Sequence, residues 1–367
     1  MPIALVTNYL PPYRLPLYEL LAERYGIEVY CFGGEGDYVP VALRDLDTQL
    51  AAARFPAHRL KKQRSAADLA ASHDAVIAST SGRVALPAAF RGARRAGKPF
   101  ILWASLWRHP RTLAHLGSFV LMRRLYRYSD AIVTYGSHVS RYVAGYRGSE
   151  RGVFAAAQAV EPELFGRAVP AADIEQFRVG LGIEPDEPIV LFAGRLVPEK
   201  GVETLLGAWR ASNADGHATL CMVGDGPLSE KAAALRGVRV TGRIERELLP
   251  IAYAAANVLV VPSLRTRRFL EPWGLVCNEA MFQATPVIAS DAVGATAGGL
   301  VRDGETGVVV PAGNQRALAG ALVELIGDRA LQQQLGENGR ELVAEYSYES
   351  AAAAFGDALR AAGVATS

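Results

Sequence analysis

The sequence predicts an α/β protein made of two successive parallel-sheet domains. Three observations carry that prediction. Short apolar runs alternate with helix-like segments along nearly the whole chain, the pattern of sheets whose strands are joined by crossover helices. The alternation breaks at the Pro- and Ala-rich stretch 158–172, which separates two series. The chain has 367 residues, enough for two domains of ordinary size.

In the first series, strands are expected at 3–7, 27–32, 75–79, 100–104, 131–134 and 153–157, and helices near 14–25, 84–97, 112–128 and 137–146. Residues 33–65 are poorly periodic and stay unassigned. In the second series, strands are expected at 189–193, 219–223, 238–241, 258–261, 287–289 and 307–310. Helices alternate with them near 202–211, 228–235, 246–255, 275–282, 315–327 and 330–345, and 348–362 reads as one more amphipathic helix. The expected domains are 1–165 and 173–346, followed by a C-terminal helix within 347–367.

Ligands of open α/β sheets bind outside the carboxyl ends of the strands, so the loops after the strands hold the candidate chemistry. The most informative segment is 271–279, EPWGLVCNE. It sets Glu271 in a loop, Trp273, Gly274 and Leu275 where that loop turns into a helix, and Glu279 in the helix's first turns. A carboxylate can accept hydrogen bonds from two neighbouring sugar hydroxyls, and a glycine lets a phosphate approach the backbone. Taken alone, Glu279 reads better as an acidic first turn that complements the helix dipole. After the first strand of the second series comes GRLVPEKG, 194–201. Here Gly194 opens the loop, Arg195 offers a planar fork of donors and Lys200 a compact charge, together suited to a diphosphate. A turn with solvated basic side chains is the bland alternative. Gly224, in Gly224-Asp225-Gly226-Pro227, ends the next strand; Asp225 is as well explained as a helix cap. Arg243 and Ile244 follow the third strand and Ser263 the fourth.

The segment 271–279 resembles the E-x7-E signature of retaining glycosyltransferases of the bacterial group 1 family, family 4, which have the GT-B fold. Residues 194–201 resemble the same family's G-R-L-x-x-x-K-G, and Ala159-Val160-Glu161-Pro162-Glu163-Leu164-Phe165 is similar to its interdomain linker. The likeness spans residues 191–346 and, more weakly, the N-terminal half. It implies two Rossmann-like domains facing a cleft, with the last helix crossing back onto the first. It implies a sugar nucleotide (a UDP-, GDP- or dTDP-sugar) on the second domain and an acceptor on the first. Glu271 then contacts the donor sugar, Glu279 the ribose, Arg195 and Lys200 the leaving diphosphate, and Arg243 and Ile244 the nucleobase. The family's retention is thought to proceed on one face of the sugar, the leaving diphosphate helping to deprotonate the acceptor, with no metal. The chain departs from the pattern at 293–299, VGATAGG, which lacks the usual Glu.

In the first half, Pro12, Tyr13 and Arg14 occupy the place of the family's acceptor loop but without its glycines, and Pro12 equally suits a helix start. His109, beyond the strand at 100–104, is the candidate histidine beside the reacting sugar; a surface histidine beside Arg108 is the alternative. Asp45-Leu46-Asp47 spells a metal-binding D-x-D but follows no clear strand, and reads as chance.

Charge is divided unevenly. Residues 1–170 hold 22 Lys and Arg against 13 Asp and Glu, while 171–367 hold 17 against 24. The basic half implies an anionic partner, a phosphate-bearing acceptor or the inner face of a membrane. Arg123, Arg124 and Arg127, with Lys61, Lys62, Arg91, Arg94 and Arg95, form its candidate basic patch. The acceptor is open: a glycan, a lipid phosphate or a small molecule, and not nucleic acid. Cys31, Cys221 and Cys277 are scattered in apolar contexts and read as buried hydrophobes. No metal-ligand spacing, P-loop or complete G-x-G-x-x-G is present. The first residues read as a strand rather than a signal peptide, so the expected location is cytoplasmic. The expected activity is glycosyl transfer; a sugar-nucleotide epimerase or phosphorylase and a non-catalytic sugar-nucleotide-binding subunit are the alternatives.

Overall fold

The computed structural model of the chain describes residues 2–33, 45–110, 112 and 115–366. Two compact units divide it: Met1–Ala159 with Tyr346–Ser367, and Val160–Glu345.

The first unit begins β1 (Ile3–Thr7), α1 (Leu15–Tyr25), β2 (Ile27–Cys31), α2 (Leu46–Ala52), β3 (Ala57–Arg59), β4 (Ala75–Ser79). It continues α3 (Ala85–Arg95), β5 (Phe100–Ala104), α4 (Leu116–Tyr128), β6 (Ala131–Thr134), α5 (Ser137–Arg147), β7 (Val153–Ala155). Its strands form one sheet, β3-β2-β1-β4-β5-β6-β7, and each pairing is parallel. The strands β1, β4 and β5 are buried along their whole length, which is why they read as unbroken apolar runs. The strand order reverses at β1, which lies between β2 and β4, so the loops after β1 and β4 meet at a topological switch point.

Two elements lie in the stretch left unassigned. The edge strand β3 is short and mostly exposed, with no apolar run to announce it. Helix α2 starts at Asp45, whose side chain accepts from the Asp47 and Thr48 amides at 3.1 and 3.3 Å, while Asp47 pairs with Arg59 at 2.7 Å. The D-x-D is thus a helix cap and a surface ion pair. The remainder of that stretch, 34–44, lies outside the described residues.

The second unit runs α6 (Pro162–Phe165), α7 (Ala171–Gly180), β8 (Ile189–Ala193), α8 (Val202–Ser212), β9 (Thr219–Val223), α9 (Ser229–Ala233), β10 (Val238–Gly242). It continues α10 (Leu249–Ala255), β11 (Val258–Val261), α11 (Val276–Phe282), β12 (Val287–Ser290), α12 (Gly294–Ala297), β13 (Gly307–Val310), α13 (Gln315–Gly327), α14 (Arg329–Val343). The sheet order is β10-β9-β8-β11-β12-β13, with each pairing parallel. Its switch point lies between β8 and β11. The expected linker 158–172 folds into this unit from Val160 onward. Phe165 is buried with its ring 6.4 Å from that of Tyr253, and the Gln283 amide donates to the Arg167 carbonyl at 2.9 Å. Burial of that one aromatic fixes a segment whose composition looks like a tether.

The last helix, α15 (Tyr348–Ala361), returns to the first unit and packs on α1. Phe355 is fully buried edge-on to Trp103 at 5.1 Å, and the Tyr348 hydroxyl donates to the Tyr13 carbonyl at 2.8 Å. No described helix is long and apolar enough to cross a membrane.

Candidate functional site

In the second unit, the loops after β8 and β11 are pressed together at the switch point. Gly201 has φ +75°, and a Cβ there would lie 1.9 Å from the Pro262 carbonyl oxygen. The Leu264 amide donates to the Glu199 carbonyl across the same seam at 2.9 Å. This close approach brings Lys200 to Glu271: the ammonium pairs with Glu271 Oε2, and Ser263 Oγ donates to the same oxygen at 3.0 Å. Glu271 is only 7% exposed. Behind it, Ser290 Oγ donates to the Ser263 carbonyl at 2.6 Å, so the ends of β11 and β12 are tied to the carboxylate. The Glu271 backbone is fastened by Val293 and Gly294, whose amide donates to the Glu271 carbonyl at 3.1 Å. The segment 293–299, unusual in sequence for lacking a Glu, contributes this backbone clasp.

Glu279, at the first turn of α11, accepts from the Tyr253 hydroxyl at 2.6 Å. Burial raises its pKa above the ordinary glutamate range, against the Tyr253 hydrogen bond and the nearby charge of Arg246. Arg246 in turn pairs with Glu161 and lies over the Phe165 ring at 5.2 Å. Glu271 and Glu279 therefore sit in separate polar networks, one basic and one phenolic. Cys277 is fully buried between them, and burial pushes its thiol well above the ordinary range.

Other expected site residues fall on the same strand ends. Arg195 is exposed and pairs with Glu199 at 3.5 Å, and Arg243 is exposed beyond β10. Ile244 is half-buried. Gly194 and Gly224 abut: a Cβ on Gly224 would lie 1.9 Å from the Gly194 carbonyl oxygen. Gly274 has φ +100° and Leu275 follows it into α11. Trp273 is buried, and its indole N–H donates to Asn278 Oδ1 at 2.7 Å, which braces the turn into α11 from inside. Sequence reasoning passed over Tyr253, Arg246, Asn278 and Ser290, because nothing local marks a buried hydroxyl or amide as a carboxylate's partner.

In the first unit, Pro12 is exposed on a short 3-10 turn that carries Tyr13 and Arg14. The Arg14 guanidinium is enclosed by the rings of Trp103, Tyr135 and Tyr13, at 4.6, 5.1 and 5.3 Å from their centroids, and donates to the Tyr135 hydroxyl. His109 is a buried residue, not a solvated one. Its Nε2 lies 3.2 Å from the His115 carbonyl and 3.1 Å from Ser118 Oγ, its ring packs on Phe119, and burial lowers its pKa. The loops after β4 and β5 add a run of hydroxyls that sequence reasoning missed: Ser79 reaches Thr7 at 3.4 Å, and Thr80 meets Ser105 at 2.8 Å. Ser79-Thr80-Ser81-Gly82, directly after a buried strand, was the available signal. Among the described residues, no cluster of three His, Cys, Asp or Glu side chains is placed to hold a metal ion.

Residues 173–342 match the family model described as glycosyl transferases group 1. Among curated proteins, the chain is 34% identical over 175 residues to the alpha-D-kanosaminyltransferase of Streptomyces kanamyceticus, covering 45% of this chain and 44% of that protein. It is 32% identical over 256 residues to a GDP-mannose-dependent alpha-(1-6)-phosphatidylinositol monomannoside mannosyltransferase of Mycobacterium tuberculosis, covering 65% and 64%. The matches thus span roughly half to somewhat under two thirds of those relatives' length. Among solved structures, Anabaena Alr3699/HepE in complex with UDP superposes with a TM-score of 0.78 at 18% identity, covering 98% of this chain and all of that one. Sucrose-phosphate synthase from Thermosynechococcus elongatus gives 0.72 at 24% identity, covering 98% of each chain. With two all-parallel sheets and a last helix returning to the first unit, the chain has the GT-B fold, and its residues 173–342 are similar to the group 1 glycosyl transferases.

Proposed function

We propose that the protein is a retaining, metal-independent glycosyltransferase that moves a sugar from a nucleoside diphosphate to an acceptor hydroxyl. The observation that carries this reading is the convergence of Lys200, Ser263 and buried Glu271 on the switch point of the second sheet. The family match and the names of the relatives, all glycosyltransferases, support it. Glu271 takes the hexose and Glu279 the ribose. Lys200 and Arg195 take the diphosphate, with Arg243 and Ile244 near the base. As the bond from the anomeric carbon to the diphosphate breaks, negative charge grows on the leaving oxygen beside Lys200, where a preorganised cation lowers the barrier. The acceptor oxygen bonds to the same carbon, and its proton passes to the departing diphosphate.

The acceptor belongs to the first domain, and the inner membrane surface is its proposed location. Residues 75–129 contain no Asp or Glu and ten Lys and Arg. Helix α4 exposes Val120, Arg123, Arg124, Arg127 and Tyr128 on one side, a combination suited to anionic headgroups.

The deciding experiment incubates the purified protein with UDP-, GDP- and dTDP-sugars, each with and without glycan, lipid-phosphate and polyol acceptors, under mass spectrometry. Acceptor-dependent release of nucleoside diphosphate and a mass-shifted acceptor are expected. Sugar isomerisation without acceptor would make it an epimerase. Phosphate-dependent cleavage of a glycan would make it a phosphorylase, and binding with no turnover a sugar-nucleotide-binding subunit.

A further inference from the structure

We propose that Arg246, clamped by Glu161 and the Phe165 ring, is a positioning residue that holds the Glu279 carboxylate as the acceptor for both ribose hydroxyls of the nucleotide. The ribose rests on the transferase reading; the clamp around Glu279 rests on the second unit's geometry alone.

Three segments distant in sequence build the clamp. Glu161 precedes α6 and Phe165 ends it, Arg246 lies between β10 and α10, Tyr253 lies on α10, and Glu279 on α11. The Arg246 guanidinium pairs with Glu161 and lies 5.2 Å from the centre of the Phe165 ring. That ring is 6.4 Å from the ring of Tyr253, whose hydroxyl donates to Glu279 Oε2 at 2.6 Å. At the end of α11, the Gln283 amide donates to the Arg167 carbonyl at 2.9 Å, which ties the helix to the same entry segment. The Arg246 and Glu161 side chains are 27% and 23% exposed, and an ion pair this accessible adds little stability by itself. Its position beside Glu279 gives it another use.

A diol is met by two acceptor oxygens, and a carboxyl that takes up a proton turns one of them into a donor. Burial pushes Glu279 toward that protonated form. The Tyr253 hydrogen bond and the positive charge of Arg246 oppose burial, while the negative charge of Glu161 assists it. Cys277 is the buried titratable neighbour on the same helix, and Glu163 of α6 is exposed. Of the other elements packed on α11, α14 meets it at Gly336 and Gly339, against Ala284 and Met281, and β11 and β12 are buried, uncharged strands. Arg246 is therefore the cation that keeps Glu279 an acceptor, and Glu161 with Phe165 fixes where that cation stands.

The two partners of one ion pair thus act on Glu279 in opposite senses. Arg246→Met and Glu161→Gln break the same bond, so a mere brace would respond alike to both. The full chain, labelled with ¹³C at the glutamate carboxyl carbons, is titrated with acid under NMR, and the Glu279 resonance is identified by its loss in Glu279→Gln. Arg246→Met is expected to move the Glu279 midpoint up by about one pH unit, Glu161→Gln to move it down, and Arg246→Lys, which keeps the charge, to leave it close to wild type. Calorimetry with UDP and GDP follows over the same range. Just above the wild-type midpoint, affinity falls about three- to tenfold in Arg246→Met and is kept in Glu161→Gln. Near-ultraviolet circular dichroism checks folding; should Arg246→Met fail to fold, the downward movement in Glu161→Gln and its absence in Arg246→Lys carry the test. Midpoints that move the same way in Arg246→Met and Glu161→Gln, or do not move, overturn the proposal. Midpoints that separate as expected while nucleotide affinity ignores them keep the clamp and remove the ribose, which places the failure in the transferase reading.

Discussion

Lys200 and Glu271, 71 residues apart in the chain, form an ion pair through Glu271 Oε2, with Lys200 24% and Glu271 9% exposed at the side chain. Lys200 also lies 5.6 Å from the centre of the Phe269 ring. The proposed diphosphate cation and the proposed hexose carboxylate are therefore already in contact before any substrate arrives. A donor has to share Lys200 with Glu271 or take it away.

Lys200→Ala leaves Glu271 buried without its cation. The expected cost is about 1–3 kcal/mol of stability, below that of a fully buried pair because Lys200 keeps some water contact. Affinity for UDP or GDP falls by about one to two decades. Arg195→Ala, at an exposed side chain, lowers nucleotide affinity with little change in stability. Chemical denaturation and calorimetry on both variants check the contrast; equal stability losses would contradict it.

Glu271→Gln is expected to lower kcat more than it weakens diphosphate binding, and Glu279→Gln to raise KM and weaken diphosphate binding, since the ribose is common to substrate and product. The pH dependence sharpens this. Because the Glu279 pKa is raised in the fold, its carboxyl takes up a proton at a higher pH than an ordinary glutamate. Nucleotide affinity of the wild type should decline on mild acidification, and that of Glu279→Gln should stay flat. The folded state holds this proton more tightly than the unfolded chain does. Glu279 thus favours folding most below the ordinary glutamate value of about 4.3, and that contribution is lost as pH rises through the folded value. Wild type should lose stability relative to Glu279→Gln across the same rise. Urea melts and UDP titrations over a pH series decide both points.

Gly201→Ala should damage the site from a distance of one residue. The alanine would need φ +75° and would push its methyl into the Pro262 carbonyl. A loss of at least about 2 kcal/mol is expected, with Lys200 displaced and nucleotide binding reduced further than stability alone explains. Gly180→Ala, at a position with open space around it, is the matched control and should be close to neutral.

Activity should survive exhaustive EDTA treatment, because Arg195 and Lys200 are assigned the charge neutralisation a cation would otherwise supply. Loss of turnover that Mg²⁺ or Mn²⁺ restores would reject that assignment.

Replacing Arg123, Arg124 and Arg127 by Ser should reduce partitioning onto phosphatidylglycerol vesicles by about two decades, at about 1 kcal/mol per basic residue near the surface. Co-sedimentation measures it, and wild-type protein that ignores anionic vesicles would remove the membrane from the reading.

The sheets were legible because most of their strands are buried on both faces and so spell continuous apolar words; β1, β4 and β5 are examples. The strand β3 was not, being short, polar and at an edge. The segment 158–172 looked like a tether because Pro and Ala dominate it, yet Phe165 ties it to Tyr253. The candidate residues after β8 and in 271–279 could be named one by one from their loops. Their pairing could not, since Lys200 meets Glu271 only because β8 and β11 are neighbours in the sheet. His109 and Arg14 illustrate the opposite limit. The sequence offers a surface histidine or sugar-side histidine in the one case and an acceptor-loop arginine in the other, and tertiary packing sets both against aromatic rings.

The return of α15 to the first unit bears on the order in which the chain can be completed during synthesis. Residues 1–159 emerge first, but the face of their core that Phe355 and Tyr348 cover stays open until some two hundred further residues have been translated. The second unit, contiguous in sequence, can close while the first is still waiting. Trp103, which Phe355 meets edge-on, thus lacks that cover on the nascent chain for most of translation. Premature termination anywhere in 160–346 would release a finished or half-finished second unit joined to a first one with an uncovered aromatic face, the kind of surface chaperones hold and proteases remove.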